Sequence, residues 1–141
     1  MTPEQRQAVI DEARSWLRTP YRSNARLKGA GADCAMLPLD VYASVLGLPT
    51  VPIPAYQAEW HLHHDVEVYL DTVRALGGIE VQAPQPGDFA LWRVGRVYSH
   101  GAIVVDWPNV IHAVNPSGVI LASAATDALL MRARAPLFFT L

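Results

Sequence analysis

Apolar positions recur at two different periods along this chain, and the change of period falls just past its middle. Up to Leu76 the period is helical. Val9, Ala13, Trp16 and Leu17 repeat at three- and four-residue intervals, which predicts a first helix with one buried stripe. Thr2-Pro3-Glu4-Gln5 opens it with an N-cap, a proline at the first helical position and a glutamine that closes a capping box. Thr19-Pro20-Tyr21 ends it, because the residue before a proline avoids the helical region. Residues 22–32 read as a loop. A second helix is predicted from Asp33, a suitable N-cap, to Leu46, with Gly47 and Pro49 as the stop. Cys34, Leu37, Val41 and Val45 share one face of it, and Pro38, past the first turn, removes one ladder hydrogen bond. Residues 48–60, with Pro49, Pro52 and Pro54, read as an extended connection. Asp65 to Leu76 reads as a third helix that turns Val66, Tyr69, Leu70 and Val73 inward and stops at Gly77-Gly78.

Beyond Gly78 the pattern shortens to the period of strands. The segments Ile79–Gln82, Asp88–Trp92, Val97–Val105, Val110–Val114, Val119–Ala122 and Leu137–Thr140 are separated by the turn signals Pro86-Gly87, Gly95, Pro108-Asn109 and Pro116-Ser117-Gly118. Helices first and a run of strands afterwards predict an α+β domain, with N-terminal helices packed on an antiparallel sheet. At 141 residues the chain is long enough for one domain, 1–141, with a core of its own.

Composition narrows the function. Apolar residues make up 51% and charged ones 17%, which is a globular balance. Residues 1–28 carry six basic and three acidic side chains, and residues 33–88 carry eight acidic and one basic. No basic block marks a nucleic-acid surface, and the acidic stretch reads as a solvated face. No apolar run is long enough to span a membrane, and no signal-peptide pattern opens the chain, so synthesis in a cytoplasm is expected, unless something larger carries the protein out. A single cysteine excludes an internal disulfide and any multi-cysteine metal site. His61-Leu62-His63-His64 reads as exposed histidines at a loop or helix entry, and neither a metal nor a cofactor is expected.

The candidate chemistry centres on that cysteine. Cys34 follows Gly29-Ala30-Gly31-Ala32-Asp33 and precedes a helical pattern, so its thiol is expected at a helix N-terminus, where the macrodipole favours the thiolate and a pKa below ~8.5. His100 and His112 lie on two strands of a predicted hairpin, twelve residues apart. They share a sheet face only if paired residue numbers sum to an even value, which needs an odd loop or a bulge; pairing of Asp106 with Val110 satisfies this. In that arrangement Cys34 attacks a carbonyl, His100 takes the thiol proton and returns it to the leaving amine, and His112 orients His100. The oxyanion meets backbone N–H groups at the helix start, with the Tyr21 hydroxyl. Taken singly, each residue has a plainer reading: Cys34 as a small buried apolar side chain, His112 as a core histidine, Tyr21 as core, Asp33 as an N-cap.

Five short motifs in order resemble the NlpC family of papain-like cysteine peptidases: Thr19-Pro20-Tyr21, Gly31-Ala32-Asp33-Cys34, Gln85-Pro86-Gly87-Asp88-Phe89, Ser99-His100-Gly101-Ala102-Ile103-Val104 and Val110-Ile111-His112-Ala113. The resemblance implies a papain-like fold and a peptidase that cleaves peptidoglycan stem peptides, usually between D-glutamate and a diamino acid. It implies Cys34 as nucleophile, His100 as base and His112 as the third, polar member, with Tyr21 and Asp33 in the pocket that holds the free amine of the stem. The chain departs from the family pattern in Ala35-Met36, where Ser-Gly is usual, and in Arg22-Ser23-Asn24, where an aromatic residue and two glycines are frequent. Both departures bear on specificity more than on catalysis. A bare catalytic domain of this size is similar to those encoded among bacteriophage tail genes. That likeness implies a protein made in the bacterial cytoplasm, incorporated in a virion tail and partnered by other tail proteins. Two rival readings are a structural tail or assembly protein that keeps the fold without using the site, and an acyltransferase with the same thiolate step. A zinc-binding module is a third.

Overall fold

A computed structural model describes residues 1–49 and 67–141. Helix α1 spans Pro3–Ser15, and its capping box forms as the sequence predicts: the Gln5 N–H donates to Thr2 Oγ1 (3.1 Å) and the Thr2 N–H to Gln5 Oε1 (2.8 Å). A two-residue hairpin follows, β1 (Arg26–Leu27) on β2 (Gly31–Ala32), inside the segment read as loop. Helix α2 covers Met36–Leu46 and stops at Gly47, whose φ of 64° is the left-handed cap conformation. Helix α3 covers Val68–Ala75, so the start placed at Asp65, together with Val66 and the 61–64 histidine run, falls outside the described residues.

Six strands follow: β3 (Ile79–Val81), β4 (Phe89–Val94), β5 (Val97–Asp106), β6 (Asn109–Val114), β7 (Gly118–Ser123) and β8 (Leu137–Thr140). Between β7 and β8 lies a short helix, α4 (Ala128–Arg132), in a stretch for which the sequence pattern gives no element. The strands form one antiparallel sheet in the order β3-β8-β4-β5-β6-β7. The expected α+β arrangement of helices against an antiparallel sheet is therefore the observed one.

Strand alternation gives the sheet two apolar faces. Phe89, Leu91, Ile103, Ile111 and Phe139 meet Val9, Ala13 and Trp16 of the α1 segment and Leu37 and Val41 of α2. Ala90, Trp92, Ala102, Val104 and Val110 are covered on the other side by Leu130 of α4. Each fully buried Leu, Ile or Phe contributes about 1.5–3 kcal/mol of transfer free energy. A buried polar anchor joins the chain ends. Asp88, 1% exposed, accepts from Arg6 Nη1 (2.7 Å), Thr140 Oγ1 (2.8 Å) and the Gln85 N–H (2.8 Å).

Candidate active site

The loop that carries the cysteine is shaped by its neighbours before any chemistry enters. Residues 18–22 run between β7 and β2. The Arg18 N–H donates to Val119 O, the Val119 N–H to Thr19 O, the Ala32 N–H to Pro20 O and the Arg22 N–H to Ala32 O. Tyr21 is thereby bridged to Ala32, two residues before Cys34. Asp33 then turns the chain into α2. Its Oδ1 accepts from the N–H groups of Ala35 (3.0 Å) and Met36 (2.9 Å), and its Oδ2 from that of Asn24 (2.6 Å). Asp33 thus performs the predicted capping, although regular helix begins only at Met36.

Proline accounts for the loose first turn. Pro38 has no N–H to return to the Cys34 carbonyl four residues earlier, so that carbonyl needs a donor from elsewhere. Tyr69 of α3 supplies it, its hydroxyl donating to Cys34 O at 2.8 Å. Gly101 makes the approach possible, because a Cβ there would collide with the Tyr69 hydroxyl and the Phe89 ring. Tyr69 reads in the sequence as an ordinary core position. The signal that identifies it is the carbonyl orphaned by Pro38.

The sheet supplies the other half of the site by splitting. β5 pairs with β6 only between Ile103–Asp106 and Asn109–Ile111, while its first half keeps β4 alone and the end of β6 keeps β7. Cys34 sits against the freed edge of β5. Its thiol donates to the Ser99 carbonyl (3.5 Å), and the Gly101 N–H is directed at the same sulfur. Two bulges on β5 set the geometry. One makes Ser99 the extra residue opposite Trp92/Arg93, and the other makes Val105 the extra residue ahead of the turn. The pairing Asp106–Asn109 has an odd sum; the Val105 bulge shifts the register to Val104–Val110, an even sum. The expected pairing of Asp106 with Val110 is not the one formed, and the bulge does its work instead. His100 and His112 consequently share a face. Their rings meet edge to face at 5.1 Å, and His100 Nε2 lies 2.8 Å from His112 Nδ1. This imidazole pair bridges the gap where main-chain pairing has ceased.

A carboxylate that the sequence reading did not single out stands behind the pair. The buried His112 Nε2 faces Asp127 Oδ2 at 3.4 Å, a charge contact too poorly aligned to count as a formed hydrogen bond, and has no other partner among the described residues. Asp127 is the N-cap of α4, and its Oδ1 accepts from the N–H groups of Leu129 (2.9 Å) and Leu130 (3.1 Å). The sequence signal was present: an aspartate directly before Ala128-Leu129-Leu130 is a helix-start pattern.

The electrostatics correct one expectation. Burial, reinforced by the neighbouring Asp33 charge, pushes the Cys34 thiol up to about 12, above rather than below its ordinary value. The dipole argument fails because regular helix starts two residues later, the thiol is buried and the Asp33 charge acts on it. Burial, with Cys34 and Asp33 close by, also raises the Tyr21 hydroxyl, so it stays a proton donor. Burial lowers the His112 imidazole against the pull of Asp127 and keeps it neutral. Among the described residues no group of three or more His, Cys, Asp or Glu could hold a metal ion, and no helix is long and apolar enough to cross a membrane.

No family model matches the chain, and no curated protein matches it in sequence. Solved structures do match. The NlpC/p60 domain of the peptidoglycan hydrolase SagA superposes with a TM-score of 0.63 at 21% identity, over 96% of this chain and 98% of that domain. A lipoprotein-like NLP/P60 family protein of Staphylococcus aureus gives 0.65 at 18% identity, over 97% of this chain. NlpC1 of Trichomonas vaginalis gives 0.66 at 15%, over 98% of this chain. The chain spans 42% and 45% of those two longer proteins. Helices packed on an antiparallel sheet, matched along nearly the whole chain, give this protein the NlpC/p60 fold.

Proposed function

We propose that this protein is an NlpC/p60 cysteine peptidase that hydrolyses peptidoglycan stem peptides. The observation that carries the reading is the sheet split, which gathers a lone cysteine against Ser99–Gly101 beside a 2.8 Å imidazole pair. The fold likeness to a peptidoglycan hydrolase domain supports the substrate class.

In this reading Cys34 is the nucleophile and His100 the base. A thiol held near 12 is neutral at rest, so the proton leaves as the sulfur attacks rather than beforehand. His100 Nδ1 accepts that proton while its Nε2–H remains bonded to His112 Nδ1, and the resulting imidazolium later protonates the leaving amine. His112 orients the base. The Ala35 and Met36 N–H groups are engaged by Asp33, so the Cys34 N–H and the Tyr21 hydroxyl are assigned to the oxyanion. Tyr21 and the Asp33 charge form the pocket for the free amine of the stem. Residence in a phage tail, after synthesis in the bacterial cytoplasm, is the proposed setting, resting on the likeness to tail-encoded domains. Co-purification with tail proteins tests it.

The test of the activity is mass spectrometry of purified peptidoglycan and soluble stem peptides incubated with wild type and with Cys34→Ala. Wild-type cleavage that the variant lacks is expected and names the bond. Folded wild type that releases no peptide overturns the reading in favour of a structural tail protein. Transfer of the acyl group to an added amine in preference to water indicates an acyltransferase.

A further inference from the structure

Asp127 is a positioning residue that sets the tautomers of both histidines, we propose, by turning a carboxylate oxygen toward the otherwise unpartnered His112 Nε2. Its mechanistic consequence rests on the peptidase reading above; the proton arrangement does not.

The argument is one of donors and acceptors. A neutral imidazole carries one N–H and one bare nitrogen, and its partners decide which is which. His112 is fully buried, and its Nε2 faces a carboxylate oxygen 3.4 Å away. Two bare acceptors turned toward each other in a buried site repel, so the proton of His112 belongs on Nε2. Its Nδ1 is then bare and must accept across the 2.8 Å contact from His100 Nε2. That leaves His100 Nδ1 bare, the nitrogen required to take the thiol proton. One carboxylate therefore fixes two rings in series.

Asp127 is itself held for the task. Its N–H donates to Ser123 O (2.8 Å), and the Ala124 N–H donates to Pro108 O (2.9 Å), which ties the segment to the β5–β6 turn. Leu130 anchors the following helix in the second core. With Oδ1 taken by the Leu129 and Leu130 N–H groups, Oδ2 alone is turned to His112.

This division of the carboxylate makes two substitutions informative. Asparagine and serine are both good N-caps, so a merely structural Asp127 tolerates either. In Asp127→Asn the amide oxygen stays with the helix N–H groups and the NH₂ faces His112. It donates to Nε2, moves the His112 proton to Nδ1 and reverses the chain, leaving His100 with a proton on Nδ1 and no base for the thiol. Asp127→Ser keeps the cap and leaves His112 without an acceptor, so both tautomers coexist.

The experiment is long-range proton–nitrogen NMR of histidine-labelled protein at pH 8, without substrate, alongside steady-state cleavage of a stem peptide. Expected are Nε2–H on both rings in wild type, Nδ1–H on both in Asp127→Asn and a mixture in Asp127→Ser. The turnover number is expected to fall on the order of 10²–10³-fold in Asp127→Asn and less in Asp127→Ser, with KM and Tm near wild type. Nδ1–H on His112 in wild type, or wild-type tautomers retained in Asp127→Asn, overturns the inference. If wild type cleaves no peptide, the peptidase reading falls while the NMR result still decides the role of Asp127.

Discussion

Cys34 is fixed through main-chain groups, whereas the two imidazoles are fixed through side chains. On the helix side, Asp33 binds three N–H groups, Tyr69 holds the Cys34 carbonyl and the thiol rests on the Ser99 carbonyl. These bonds also close the turn into α2, so the placement of the thiol and the local fold have the same cause. On the sheet side, His100, His112 and Asp127 form a row of side-chain contacts across a gap where main-chain pairing has stopped. The strands behind that row are held by their own ladders and by two apolar cores. The difference teaches where function and stability separate. Substitution in the row should cost activity and spare the fold, and substitution around the cysteine should cost both.

The largest effect tests the first half of that statement. In the proposed mechanism His100→Ala removes the base, and turnover is expected to fall roughly 10³–10⁴-fold with thermal unfolding close to wild type. His112→Ala leaves the base but frees its ring, so a smaller loss is expected. Equal activity in both variants, measured as stem-peptide cleavage, removes both assignments. A large drop in Tm for His100→Ala breaks the comparison itself.

Gly101→Ala sharpens it from the other side. A Cβ at this position meets the Tyr69 hydroxyl and the Phe89 ring, and Phe89 is buried in the core. The methyl group forces Tyr69 off the Cys34 carbonyl or shifts β5 against α3. Overpacking of this kind costs about 1–3 kcal/mol, and both Tm and activity should fall together. Urea unfolding measures the first and stem-peptide cleavage the second. Lost activity at full stability would show that the cysteine turn is independent of the fold.

These positions also show what the sequence discloses. The capping box at Thr2-Pro3-Gln5, the glycine stop at Gly47 and the alternation from Phe89 onward are local patterns with local causes, and each produces the element it predicts. Cys34, His100 and His112 were legible as candidates because few residue types do nucleophilic and acid–base chemistry. The bulges at Ser99 and Val105 were not, since a bulge breaks alternation by one residue without a fixed composition. Helix α4, five residues long, is too short to display a period, so the helix-start signal at Asp127 has no helical pattern after it to point to. Tyr69 was visible as a core residue but not as a donor, because its acceptor is orphaned by a proline 31 positions earlier. The thiol pKa runs against the helix-dipole expectation because the fold buries the sulfur, and the capping carboxylate that makes the turn adds its charge beside it.

Tyr69→Phe isolates that donor with little change in volume. The Cys34 carbonyl loses its hydrogen bond, and an unmet buried acceptor costs about 1–3 kcal/mol. A drop in Tm is therefore expected together with a modest fall in turnover, on the order of tenfold if the sulfur shifts by a fraction of an ångström. An unchanged Tm would mean that the carbonyl finds another donor.

At neutral pH the remaining effects vanish and are read only from stability against pH, where the two sides of the site have opposite signs. His112 is held neutral by burial, its folded pKa lying below the ordinary 6.5. The unfolded chain therefore binds this proton first as pH falls, so stability is full above about 6.5 and is lost as pH drops through the folded value. Cys34 behaves in reverse. Its thiol is raised from 9.0 to about 12, so the unfolded chain releases the proton first, and stability is full below 9.0 and lost as pH rises toward 12. Each limb has a limiting slope of about 1.4 kcal/mol per pH unit. His112→Asn should flatten the acid limb alone and Cys34→Ala the alkaline limb alone, in urea unfolding at a series of pH values. If Cys34→Ala leaves the alkaline limb unchanged, the thiol is ionising freely in the folded protein, and the side fixed through the main chain is less closed than its hydrogen bonds imply.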